Sequence, residues 1–107
     1  MANGRDTKQI KRMRNEILVA LKVLYPGAMQ ADPLLRSLLM LFPDVEFDHF
    51  RRDLAYLIEK RYIERIIPDA DREAEGNAAQ WRRRWFKLTP AGLEIADRCI
   101  HDPALDD

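Results

Sequence analysis

Apolar residues recur at helical spacing through the first quarter of the chain. Ile10, Met13, Ile17, Leu21 and Leu24 lie on one face, and Asp6 or Thr7 is placed to cap a helix that Pro26-Gly27 stops after Tyr25. Its second half, Ile17 to Tyr25, is apolar around more than one face, which suits a central helix or one shared with a partner. Asp32-Pro33 pairs an acceptor cap with proline at the first helical position and predicts a second helix, filled by Leu34, Leu35, Leu38, Leu39, Leu41 and Phe42 and closed by Pro43. After a short turn, Phe47, Phe50, Leu54, Leu57 and Ile58 cluster on the inward side of a third helix. Asp48, His49, Arg52, Tyr56 and Glu59 fall on its outward side, with Arg51 at the edge.

The period then changes. Tyr62 to Ile67 is β-branched and aromatic enough for a strand that Pro68 ends. Asp69 to Gln80 is acidic, contains Gly76-Asn77 and has no apolar period, so it is expected to be a loop. Trp81 to Leu88 returns as a second strand, with Phe86 and Leu88 on one face and Arg83, Trp85 and Lys87 on the other. Thr89 caps a last helix with Pro90 at its first position and Leu93, Ala96 and Ile100 as its stripe. The expectation is a mainly α fold with a small β-hairpin: three helices, a two-stranded wing and a C-terminal helix in one domain over residues 1–101, with an acidic tail over 102–107.

Composition narrows the chemistry. With 107 residues, 47% of them hydrophobic, the chain suits a single core. The 18 Lys and Arg balance the 18 Asp and Glu, so any site for a polyanion has to be a local patch. Cys99, the lone cysteine, forms no internal disulfide; the opening residues resemble no signal segment, and the first helix is too short an apolar run to span a bilayer, so a cytoplasmic location is expected. No nucleophile with a base, no glycine-rich phosphate loop and no paired carboxylates in an apolar pocket stand out, and the expectation is a protein without catalysis or cofactor.

Three basic groups remain. Arg5, Lys8, Lys11, Arg12 and Arg14 line the start of the first helix; His49, Arg51, Arg52 and Tyr56 lie on or beside the outward side of the third; Arg82, Arg83, Arg84 and Lys87 accompany Trp81 and Trp85 on the returning strand. Together they form a candidate surface for DNA, with cations for phosphates and hydrogen-bonding side chains for base edges. Arg52 is the candidate guanine reader, and Arg51 or His49 a phosphate contact. The triple arginine can equally be neutralised by Asp69, Asp71, Glu73 and Glu75 of its own hairpin, while Asp48, Asp53 and Glu59 place negative charge on or near the reading helix. The paired tryptophans suit a hairpin face or a dimer contact better than base stacking.

The run Phe50 to Ile63 resembles the end of winged-helix recognition helices, and Leu88-Thr89-Pro90-Ala91-Gly92 resembles the leucine-threonine-x-x-glycine step after the wing in bacterial repressors of the multiple-antibiotic-resistance, phenolic-acid and arsenical-resistance types. More narrowly, Pro33 to Leu39 with Val45 to Ile63 is similar to small arsenical-repressor-like winged-helix proteins encoded in Mu-like bacteriophages and prophages. The resemblance implies a winged helix-turn-helix that places helix 47–60 in the major groove of double-stranded DNA, uses strand 81–88 as a basic wing, and regulates transcription. It also implies a homodimer through the N- and C-terminal helices, which would space two recognition helices about 34 Å apart. The alternative is a winged-helix interaction module that binds another protein and no DNA.

Two departures from the pattern carry physical consequences. Arg61 stands where the family has glycine, at a cost of roughly 1 kcal/mol if that residue is left-handed. Glu46 stands where serine or threonine caps the third helix. Metal sensing of the arsenical kind is not expected, because Cys99, His49 and His101 lie at unrelated places.

Overall fold

The computed structural model describes residues 5–67 and 82–97. The chain runs α1 (Thr7–Leu24), β1 (Met29–Gln30), α2 (Ala31–Leu39), α3 (Phe47–Glu59), β2 (Ile63–Ile66), β3 (Trp85–Leu88) and α4 (Pro90–Ala96). It is mainly helical, with a small antiparallel sheet of order β1-β3-β2. Two strands were expected and the described residues hold three, because β1 pairs its two residues with the free edge of β3, Met29 opposite Phe86 and Gln30 opposite Trp85. A strand this short has no period to detect.

The cap signals hold at α1 and α4. The Asp6 carboxylate accepts from the Gln9 amide at 2.8 Å while the Gln9 side chain accepts from the Asp6 amide at 3.0 Å, closing a reciprocal capping box. The Thr89 hydroxyl accepts from the Gly92 amide at 3.0 Å and donates to the Arg61 carbonyl at 2.6 Å. Glu46 supplies no side-chain cap to α3, as its length suggests.

At α2 the expected cap is wrong. The helix starts at Ala31, before Asp32, because its first amides are satisfied from far along the chain: Ala31 donates to the Arg84 carbonyl at 2.8 Å and Asp32 to that of Arg82 at 2.9 Å. The Gln30 side chain adds a bond to the Arg83 carbonyl. Asp32 is left free to pair through its side chain. The helix also stops at Leu39, short of Pro43, and leaves Leu39, Met40 and Leu41 exposed.

Met13, Ile17, Leu18 and Leu21 of α1 form the centre of the core with Leu34 and Leu38 of α2, Phe50, Leu54 and Leu57 of α3, and Ile63, Phe86, Leu88 and Ile95. The alternation in β3 holds, with Phe86 and Leu88 buried and Trp85 and Lys87 on the other face. There Trp85 stands opposite Ile66 and Lys87 opposite Glu64, an aromatic-aliphatic and an opposite-charge pair of the kind that stabilises a ladder. In α4 the buried apolar residue is Ile95, with Leu93 and Ala96 half-buried around it; Ile100 lies outside the described residues.

The end of α3 explains the departure at Arg61. Arg61 takes φ 65°, and its amide and that of Tyr62 bond back to the carbonyls of Ile58 and Leu57 at 2.9 and 3.0 Å, which is a Schellman closure with arginine in glycine's place. Tyr62 then accepts from the Thr89 amide at 3.0 Å, and Gly92 packs so closely on the Tyr62 carbonyl that a Cβ there would overlap it. Thus α3, β2 and α4 meet at one point, and the exit of α3 is fixed.

Candidate nucleic-acid interface

The outward side of α3 differs from the expected one by a rotation about the helix axis. His49 is 7% exposed and Asp53 fully buried, whereas Ile58, expected inside, is 36% exposed. Tyr56 is half-buried beneath Arg14, whose guanidinium lies 3.7 Å from the ring centroid. The residues that α3 presents to solvent are therefore Asp48, Arg51, Arg52, Ala55, Ile58 and Glu59.

The cause is Asp53. Its carboxylate takes Arg5 at 2.6 Å and Arg14 at 3.2 Å, so the start of α1 is drawn across that flank of α3 and covers it. Arg5 and Arg14, read from the sequence as part of a DNA-facing patch, are structural: they neutralise an acid that would otherwise sit buried without a partner. Arg12 of the same patch stacks over Phe42, its guanidinium 5.0 Å from the ring centroid. Lys8 and Lys11 remain on the α1 surface as exposed and half-buried residues.

The arginines after the loop divide among different tasks. Arg82 and Arg83 form a turn ahead of β3, which begins at Trp85 and not at Trp81. Arg82 reaches Asp32 at 3.2 Å, and Asp32 also pairs with Arg36 at 3.1 Å, one turn along α2. Arg83 is exposed; Arg84 and Lys87 are half-buried. Trp81, Cys99, His101 and the four acidic residues expected to neutralise this run lie outside the described residues.

Phe47, the first residue of α3, joins these groups. The Arg82 guanidinium lies 4.5 Å from its ring centroid and that of Arg51 lies 5.9 Å from it, both within cation-π range. Two cations that share one ring cannot be farther apart than the sum of those distances, so the start of α3 and the start of the returning strand occupy one side of the molecule. Arg52 borders a shallow depression with Asp48, Arg51 and Ala55. Arg51 is 4.0 Å from Asp48, and among the described residues Arg52 has no ion pair. Setting Asp32, Asp48 and Glu59 against Arg36, Arg51, Arg52 and Arg82 leaves these described residues with one positive charge in a chain of zero net charge.

Of the eight candidates, Arg51, Arg52 and Arg82 are brought together, Arg83 is available beside them, His49 is withdrawn into the interior, and Tyr56 is covered on one face. Phe47, Asp32 and Arg36 were missed. The spacing of Asp32 and Arg36 carried a signal, since residues four apart on a helix are neighbours; the place of Phe47 between two arginines depends on tertiary contact and left none.

Among the described residues no group of His, Cys, Asp and Glu side chains could hold a metal ion, and no helix is long and apolar enough to cross a membrane. No protein-family model, curated protein or solved structure matches the chain.

Proposed function

We propose that the chain is a winged helix-turn-helix domain that binds double-stranded DNA, with α3 in the major groove and the segment 82–88 along the flanking backbone. The observation that carries this reading is the pairing of Arg51 and Arg82 on Phe47, which brings the start of α3 and the turn ahead of β3 to one side of the molecule. The element order supports it: a short strand between the first two helices pairs with the second strand of the hairpin, in the manner of winged domains. Arg52, exposed and without an ion pair among the described residues, is the base-reading side chain; Arg51, Arg82 and Arg83 contact phosphate. Transcriptional regulation and kinship with the small winged-helix proteins of Mu-like phages follow as part of the same reading. So does a homodimer, for which Val19 and Val23, 45% and 79% exposed on α1, offer a contact.

The test is binding to a labelled duplex across a salt series. Affinity should fall steeply as salt rises, and the Arg51→Ala, Arg52→Ala double mutant should bind more weakly with a slope shallower by about one unit, for the phosphate contact of Arg51. Absence of binding at low salt would overturn the DNA reading. A second reading, a protein-interaction module, is favoured by a different observation: Leu39, Met40 and Leu41 form an exposed apolar turn, with Met40 at 86%. That reading predicts loss of partner capture on Met40→Asp with DNA affinity unchanged.

A further inference from the structure

We infer that the outward stripe of α3 selects DNA in which a thymine lies close to the guanine held by Arg52, the thymine methyl group entering an apolar depression at Ala55 and Ile58. This rests on the DNA reading above and gives that reading a base sequence. Ala55 and Ile58 follow Arg52 along the outward line of the helix at intervals of three residues, and Glu59 comes next. The open depression among these side chains is lined by Arg52, Ala55, Tyr56, Ile58 and Glu59, so carbon lies between a cation and an acid.

Ile58 is the observation that points to the occupant. It is 36% exposed on a stripe where every other outward side chain except Ala55 is charged. A branched hydrocarbon there gains nothing from water, and its burial against another apolar group is favourable. Charge and shape restrict what can cover it. Phosphate does not suit an apolar surface, and Glu59 beside it repels a second anion. The base edges in a major groove present hydrogen-bonding atoms, and the C5 methyl of thymine is the alkyl group they carry.

Arg52 fixes where that methyl falls. It has no ion pair among the described residues, so its planar fork is available to the O6 and N7 atoms of guanine. Three residues of helix rise about 4.5 Å and one base-pair step about 3.4 Å. With α3 along the groove, Ala55 therefore faces the pair about one step from the guanine, and Ile58 a pair two or three steps away.

The test uses the full-length chain and a pool of random duplexes at low salt, from which bound sequences are selected and aligned. The expected consensus holds a guanine with a thymine within about three base pairs. In the tightest duplex each thymine is then replaced singly by deoxyuridine, which lacks only the methyl group. One replacement near the guanine should weaken binding roughly fourfold, as expected for losing one buried methyl-sized group. Replacing the guanine by 7-deazaguanine, which removes N7, should weaken binding of the unaltered chain and leave that of Arg52→Ala unchanged. Ala55→Gln fills the depression from an exposed position without entering the core, and Ile58→Thr makes it polar; each should bind the thymine and deoxyuridine duplexes equally. If Ile58→Thr does not fold, Ala55→Gln decides the matter. Retention of no duplex would overturn the DNA reading itself. Retained duplexes without a consensus, indifference to the missing methyl or to 7-deazaguanine, or a deoxyuridine penalty that survives in Ala55→Gln would overturn this inference and leave the DNA reading standing.

Discussion

The molecule contains the same ionic group twice. Asp53 is held between Arg5 and Arg14, and Asp32 between Arg36 and Arg82, one acid and two guanidiniums in each case. They differ in burial. The Asp53 side chain is fully buried and that of Asp32 is 32% exposed, while Arg36 is 77% exposed. In the first group the acid has no water to return to, and losing its partners would strand a charge in the core. In the second, each group can be rehydrated, so the network contributes little to stability and its arginines stay exchangeable. Identical composition therefore gives a fastener in one place and a reservoir of cations in the other.

Substitutions that break one group and spare the other should separate these roles. The largest effect is expected from Asp53→Ala, which leaves Arg5 and Arg14 without a counter-charge at the α1-α3 junction; a loss of about 3 kcal/mol in denaturant unfolding is expected, with Tm lower by more than about 10 °C. Replacing Asp53, Arg5 and Arg14 together by leucine or methionine should recover most of that loss, and no recovery would show that the group does more than cancel its own charge. Next comes Arg14→Ala, which removes one ion pair and the cover on Tyr56 but leaves Arg5 on the acid; about 1 to 2 kcal/mol is expected. Arg61→Gly supplies a calibration in the opposite direction, because the left-handed residue ceases to be strained and stability should rise by about 1 kcal/mol.

The smallest effect on folding, and the most telling, is expected from Asp32→Asn. Stability should change by less than about 1 kcal/mol and less still at high salt. Yet the change frees Arg36 and Arg82, so if the DNA reading holds, affinity for duplex at low salt should rise and its salt dependence steepen. Unchanged binding in a protein that does bind DNA would remove Arg82 from the interface.

Much of the fold was legible because it rests on local chemistry. The cap at Asp6, the Thr89-Pro90 start of α4, the strained Arg61 and the inward pair Phe86 and Leu88 all follow from residues within one turn or one strand. What was hidden depends on distant chain. Asp32 looks like a cap, but residues 82–84 arrive first at those amides. His49 looks outward on a helical wheel centred on Phe50, Leu54 and Ile58, yet Asp53 pulls α1 over its flank and turns the buried arc away from Ile58. The hint was available: Asp53 falls among Phe50, Leu54 and Leu57, and an acid on an apolar arc implies cations brought to meet it. The candidate site was legible as residue types and only partly as geometry, since Arg51, Arg52 and Arg82 converge while Arg5 and Arg14 belong to the core.

The start of α2 also bears on the order of assembly. Its first two amides and the side chain before it bond to carbonyls 50 to 53 positions downstream. During synthesis from the N-terminus, α1 and the body of α2 can form from local contacts. The opening turn of α2 must wait until residue 84 has emerged and the hairpin has closed, the costly long-range step in a chain otherwise rich in short ones. Folding of the helical half and docking of the hairpin are thereby joined in one late event, and a chain cut short before residue 82 would retain the residues of α1 to α3 but lack the acceptors that finish the second of them.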